Sequence, residues 1–268
     1  MSDAAPAERD PVEEWIDVAG TRIRLLAAGE GRPLLYLHGT GDVGAWRAPL
    51  GILATRYRVI RPDHPGFIES DGLPEPSVAA IAALYSALLD RLGLDDVLVM
   101  GASLGGWIAT ELALREPERV TGLVIVDAVG IVDPAAPLGD MFALTPVEVA
   151  ELAFPAGPLR DAAVARAAAP ADPVTARRTE RSLATAAAIA SDPLMSDPTL
   201  AERAGALRVP VTLVWGAEDG LVPPAHARRW LAAIPQARLH IIPDAGHGPH
   251  TQRPDAFLAA TRLMDTTL

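Results

Sequence analysis

The sequence predicts an α/β protein, a mostly parallel central sheet with helices on both faces and an inserted helical segment. Three observations carry this. Short apolar runs alternate with helical patterns, as βαβ units require. The later runs are continuous in Val, Ile and Leu, as expected for strands buried on both faces of a parallel sheet. One long Ala-, Pro-, Asp- and Arg-rich stretch between two such runs has no strand pattern at all.

In chain order, residues 1–11 (MSDAAPAERDP) are polar and acidic and read as a disordered tail. EEWIDV and TRIRLLAA, separated by Ala19-Gly20, read as an antiparallel hairpin at the sheet edge. PLLYLHG, YRVIRPD, DVLVMG, GLVIVDA, VPVTLVWG and ARLHIIPD supply the other strands. Helical patterns cover roughly 77–92, 104–115, 224–233 and 253–265. In the strandless stretch, DAAVARAAA and TARRTERSLATAAAIA favour helix while AP, ADP and SDP mark breaks. It has too few large apolar residues to stand alone. The chain therefore divides into a core over 12–132 and 207–268 and a helical insertion over 133–206.

Half of the 268 residues are hydrophobic, enough for a sizeable core. A net charge of −11 excludes a nucleic-acid partner, which needs a basic face. The absence of cysteine removes disulfides, thiolate zinc sites and a cysteine nucleophile together. No run reaches the roughly 18 apolar residues of a membrane span, and the N-terminus lacks the apolar centre of a signal peptide. The expectation is a cytoplasmic protein acting on a small molecule, away from membranes, as a monomer or a homodimer.

Two readings compete for LHGTGDVGAW, residues 37–46. Gly39, Gly41 and Gly44 spell G-x-G-x-x-G, and Asp63 stands at the distance of a ribose-binding acid, so a nicotinamide-dependent oxidoreductase is one reading. The other is a His-Gly-x-Gly loop that offers a backbone amide to an oxyanion. The fingerprint should open a helix at once, but Pro49 precedes the helical run. The oxidoreductase also leaves the residues below without a shared role.

VLVMGASLGGWIATELAL, residues 97–114, runs from an apolar strand through Gly101-Ala102-Ser103-Leu104-Gly105 into a helix. A nucleophile on such a sharp turn needs small neighbours on both sides, and Gly101 and Gly105 provide them. The plain alternative is Ser103 as a helix N-cap. A serine hydroxyl needs a base, and His247, between Gly246 and Gly248 after a last strand, is the best placed of six histidines. His250 makes an H-x-x-H spacing with it, but no matching carboxylate or cysteine completes a metal set, so neither metal nor cofactor is expected. His240 reads as packed in its strand and His226 as a surface or rim residue. Asp219, in the turn after VTLVWG, is the orienting acid, with Glu218 solvated and Asp127, ending GLVIVDA, the alternative.

PLLYLHGTG, VIRPDHPGF, GASLGG, PERVTGLVIVDA, VPVTLVWGAEDGLVPP and DAGHGPHTQRPDAF occur in this order, and with them the chain resembles the α/β-hydrolase superfamily. The resemblance covers residues 12–132 and 207–268 and puts the insertion where that family carries its variable cap. It implies Ser103 as nucleophile, His247 as general base, Asp219 as its orienter, and the amides of Thr40 and Leu104 as the oxyanion hole. It implies a serine hydrolase of esterase, lactonase or C–C hydrolase type. Serine at the elbow argues against dehalogenases and epoxide hydrolases. C–C hydrolases commonly show Asn where Ala102 stands and a longer glycine-rich loop than HGTGD. Other readings on the same scaffold are a lyase or cyclase, a cofactor-free oxygenase, and a non-catalytic ligand receptor.

Where family members often read P-G-F-G-x-S, this chain has Pro65-Gly66-Phe67-Ile68-Glu69-Ser70, with Glu69 read as surface. The pocket is expected to be mainly apolar. Its candidate walls are Trp46, Phe67, Trp107 and Leu221, with Met141, Phe142 and Leu144 above, each equally suited to core packing. Asp42, an acid beside the proposed anion site, is expected to point away from it.

Overall fold

The computed structural model describes residues 8–190 and 194–263 of the chain. β1 (Val12–Val18) and β2 (Thr21–Ala28) form the predicted edge hairpin. Its turn residues Ala19 and Gly20 have φ of 51° and 82°, the left-handed geometry whose twist matches that of the strands. β3 (Pro33–Leu37), α1 (Ala48–Leu53), β4 (Arg58–Pro62), α2 (Val78–Leu92), β5 (Val97–Ala102), α3 (Leu104–Arg115), β6 (Val120–Val126) and β7 (Gly130–Ile131) complete the first half. α4 (Pro146–Ala153), α5 (Pro158–Ala168), α6 (Pro173–Ile189), β8 (Ser196–Asp197) and α7 (Leu200–Ala204) follow. β9 (Val211–Gly216), α8 (Pro224–Ala233), β10 (Arg238–Ile242), α9 (Pro249–Gln252) and α10 (Pro254–Thr261) close the described chain.

The eight-stranded sheet runs β1-β2-β4-β3-β5-β6-β9-β10. It is parallel except for β1 with β2 and β2 with β4. Two cores cover its faces, as a parallel sheet demands. One packs α2, α3 and α8 through residues such as Ile81, Ile108 and Trp230. The other packs α1 and α10 through Leu53 and Phe257. β5 is buried along its whole length. β10 departs from the expected two-sided burial: it is an edge strand, and Ile241 is 42 % exposed.

Two readings of the chain are corrected here. The end of the presumed disordered tail is held in place: Arg9 N–H donates to Gly51 O at 3.2 Å, and its carbonyl accepts Trp46 Nε1–H at 3.0 Å. Gly51 admits this approach, since a Cβ there would lie 3.1 Å from Glu8 Cβ. Residues 1–7 lie outside the described residues. The region read as strandless also contains β8, whose two-residue ladder with β7 is too short to leave a pattern.

Among the described residues between β7 and β9, the helices α4 to α7 form most of the rest of the segment, with loops between them. α4 starts at a full capping box, Thr145 with Glu148, and Asp172 caps α6 by accepting from Val174 and Thr175 N–H. α6 is fastened to the loop after β4. Arg177 and Arg178 both reach Glu69 at 2.9 Å, Arg181 donates to Ser70 O, and Thr185 donates to Gly66 O. Glu69 is therefore a clasp between core and insertion, in contrast to the surface role read from sequence. Ile68, at φ 54°, is fully buried beside it and donates its N–H to Ser182 Oγ.

Candidate active site

Ser103 sits between β5 and α3 at φ 54° and ψ −119°, a strained conformation for a residue with a side chain. Its N–H donates to Val126 O at 2.8 Å, which pins the turn to β6. The flanking glycines are sterically required. A Cβ on Gly101 would lie 2.2 Å from Gly105 O, and one on Gly105 would lie 2.1 Å from Leu37 O. Ser103 makes no capping bond to its helix, so the plain N-cap reading does not describe it.

His247 Nδ1 lies 2.8 Å from Asp219 Oδ2. The proton of that bond sits on Nδ1, so Nε2 is the nitrogen that titrates and becomes an acceptor once the imidazole is neutral. Asp219 is fixed in turn, since its Oδ1 accepts the N–H of Leu221 and of Val222 at 2.9 Å. Asp127 is the second acid here. It is 1 % exposed, and its carboxylate accepts Gly216 N–H at 2.9 Å and Gly248 N–H at 2.7 Å. It thus straps the His247 loop to the end of β9, while Asp219 holds the imidazole. Burial alone would depress the His247 pKa. The charge and hydrogen bond of Asp219, with the charge of Asp127, outweigh burial and lift it to about 9. Burial and Asp219 push Asp127 well above the usual carboxylate range.

Asp127, Asp219 and His247 bring three potential metal-ligand atoms within 4.8 Å of one another. Their oxygens are already engaged with the N–H groups just named, and a cation would have to displace them. His250, the other half of the H-x-x-H spacing, turns instead to Tyr36 Oη at 3.1 Å.

The loop after β3 passes directly over Ser103. A Cβ on Gly39 would stand 3.1 Å from Ser103 Cβ. His38 Nε2 accepts His64 N–H at 3.0 Å, so its Nδ1 carries the proton and donates to Gly39 O at 2.8 Å. Asp42 N–H also donates to Gly39 O, at 3.2 Å. With the Gly39 carbonyl held on one side, the Thr40 N–H of the same peptide faces the other. Among the described residues, neither the Thr40 nor the Leu104 N–H has an acceptor.

Asp42 bonds to Arg61 Nη2 and Gly44 N–H, both at 2.7 Å, and Arg61 also grips Asp63 at 2.6 Å. Asp63 is fully buried between Arg61 and Arg24 and is closed to a ribose hydroxyl. The chain from Gly39 to Gly44 opens no helix; α1 begins only at Ala48. Both observations remove the dinucleotide reading.

An apolar chamber of about 130 Å³ opens on Ser103 and His247 and is walled by Val129, Leu138, Met141, Leu144, Leu152 and Met195, with Leu221 and Val222. Of the predicted walls, Met141, Leu144 and Leu221 border it. Trp46, Phe67, Trp107 and Phe142 do not: Phe67 and Trp107 belong to the core, Phe142 packs against it, and Trp46 bonds to Arg9. His226 is a further correction, being 1 % exposed and bonded to Ala136 O, a buried strut where a rim residue is expected. His240 is half-buried in β10.

Sequence reasoning misses the residues that brace the Asp219 and His247 loops from the insertion. His247 N–H donates to Ala153 O at 2.8 Å, and Gly220 N–H to Leu152 O at 3.0 Å. Gln252 ties the same loop through Gly246 N–H, His247 O and Ala153 O. Only the glycines give a signal: a Cβ on Gly246 would lie 2.3 Å from Ala153 O.

Comparison with known proteins agrees with this architecture. The chain is 30 % identical to 2-hydroxy-6-oxo-6-phenylhexa-2,4-dienoate hydrolase of Burkholderia cepacia, over 88 % of each chain. It is 31 % identical to the pimeloyl-[acyl-carrier protein] methyl ester esterase of Photobacterium profundum, over 86 % of this chain and 93 % of that one. The solved structure of Est816, an N-acyl homoserine lactone degrading enzyme, superposes with a TM-score of 0.73 at 26 % identity, covering 93 % and 99 % of the two chains. The model of the alpha/beta hydrolase family matches residues 34–260, and the chain belongs to that family.

Proposed function

We propose that this protein is a serine hydrolase that cleaves an ester-like bond (ester, lactone or thioester) of a small, largely apolar molecule. The observation that carries this is the strained elbow at Ser103, sharing one chamber with a His247 imidazole already bonded to Asp219. Ser103 Oγ attacks the carbonyl carbon while His247 Nε2 takes its proton, and Asp219 steadies the imidazolium. The Thr40 and Leu104 amides hold the oxyanion, where charge develops. His247 returns the proton to the leaving group, then activates the water that releases the acid from Ser103. A chamber of about 130 Å³ suits a short apolar group, since a cavity of roughly 150 Å³ accommodates benzene.

The second reading is C–C hydrolysis of a vinylogous diketone by the same triad, supported by the similarity to the dienoate hydrolase. Two measurements test the proposal: covalent labelling of Ser103 by a fluorophosphonate, and turnover of short-chain esters, lactones, thioesters and dienoate diketones. An unlabelled Ser103, or turnover undiminished in Ser103→Ala, refutes it. Turnover confined to the diketones selects the second reading.

A further inference from the structure

The apolar chamber is not the whole of the space at Ser103. A groove of about 290 Å³ leaves the same serine on the side of the loop after β3 and is bordered by Thr40, Arg47, Arg166 and His250. Val126, Val149, Ala153 and Phe154 also line it, but unlike the chamber it carries two cationic side chains. Arg47 and Arg166 are exposed, and among the described residues neither makes an ion pair. Two buried polar atoms in the groove also have no partner: Thr40 Oγ, in a residue 3 % exposed, and His250 Nδ1, in one 7 % exposed. Burying such atoms without a bond is costly, so their place in a groove points to a ligand that completes them. The buried Tyr36 O–H has no acceptor other than His250 Nε2 among the described residues, which assigns the imidazole hydrogen to Nδ1, so Thr40 and His250 both offer donors.

The acids that border the groove do not cancel this character. The Asp42 carboxylate is held by Arg61 and Gly44 N–H, and the Asp127 carboxylate by two backbone N–H groups. On a chain of net charge −11, two unpaired guanidiniums at the mouth of the site are a local reversal of sign.

We infer that this groove is a subsite for an anionic oxygen group of the substrate, a carboxylate or a phosphate. Arg47 and Arg166 meet its charge, and Thr40 and His250 donate to its oxygens or to the linkage behind it. The substrate class follows: a two-ended molecule with a short apolar group on one side of the scissile bond and an anion on the other. The inference rests on the serine hydrolase reading and names the substrate for that site.

The test compares kcat/KM for three matched short-chain esters whose far end is a methyl group, a carboxylate or a phosphate. The expected result is a preference of about tenfold or more for one or both anionic esters, expressed in KM. In Arg47→Ala/Arg166→Ala the ratio of anionic to neutral ester falls to near one, and in Arg166→Glu it inverts. Both arginines are exposed, so these variants keep the fold. Equal use of all three esters by the unaltered protein, or a preference that survives the double substitution, overturns the inference. Fluorophosphonate labelling of Ser103 on the same preparations separates the two failures. A labelled serine without anion preference refutes only the subsite, whereas an unlabelled serine refutes the hydrolase reading beneath it.

Discussion

Two clusters of buried charge flank Ser103, and they are built to opposite ends. Below the loop after β3, Arg61 lies between Asp42 and Asp63, with Arg24 and Glu13 beyond. Burial would raise the Asp42 pKa, but Arg61 and the surrounding bonds hold it below the usual carboxylate range. The acids of that cluster are locked to guanidiniums, so it acts as scaffold and turns the Asp42 carboxylate toward Arg61. On the other side, Asp127 and Asp219 share one imidazole and no guanidinium. That cluster keeps a group whose proton can move. The difference shows how one fold isolates one set of acids and leaves another reactive: guanidinium fixes charge permanently, whereas imidazole leaves it conditional.

The comparison breaks most sharply at the reactive cluster. Ser103→Ala is expected to lower ester turnover by about 10³-fold or more while the thermal unfolding curve keeps its midpoint. Arg61→Met tests the scaffold cluster and should do the reverse of a catalytic change. It leaves buried Asp42 without a cation and Asp63 with Arg24 alone, which costs about 3–5 kcal/mol and lowers Tm by roughly 10 °C. Circular dichroism melting reads this, and an unchanged Tm refutes the scaffold role.

The pH dependence sharpens the contrast. In the proposed mechanism His247 serves as a base only when deprotonated, so kcat/KM should climb with pH toward about 9, above the ordinary histidine value. Because the folded pKa is raised, the His247–Asp219 pair contributes its stability in full below the ordinary histidine value and loses it as pH rises through about 9. Activity and this share of stability therefore run in opposite directions over one window. Asp127→Asn removes a negative charge beside the imidazole and should move the acid limb down by about 1–2 pH units. A limb that does not move shows that Asp127 only braces the loop.

The smallest effect belongs to the clasp on the insertion. Glu69→Ala loses two partly exposed ion pairs and should cost no more than about 1 kcal/mol, read by chemical denaturation.

Much of this was legible in the sequence because its signals are local. Continuous Val, Ile and Leu runs mark strands covered on both faces. Gly101 and Gly105 mark the elbow, since nothing larger clears the backbone beside them. The walls of the chamber were not legible in the same way. Phe67 and Trp107 have the composition of pocket residues, but burial in the core satisfies them equally well. Glu69, read as surface, found partners over a hundred residues away, on α6.

What the sequence alone determined is thus the sheet, the strained elbow and the order of Ser103, Asp219 and His247 along the chain, because each follows from spacing and from backbone sterics within a few residues. Tertiary structure decided which acid holds His247, where Asp42 points, and that a groove carrying two arginines opens beside the apolar chamber at Ser103. Those outcomes depend on charges and hydrogen bonds between residues distant in the chain, and only folding brings these within a few ångströms of one another.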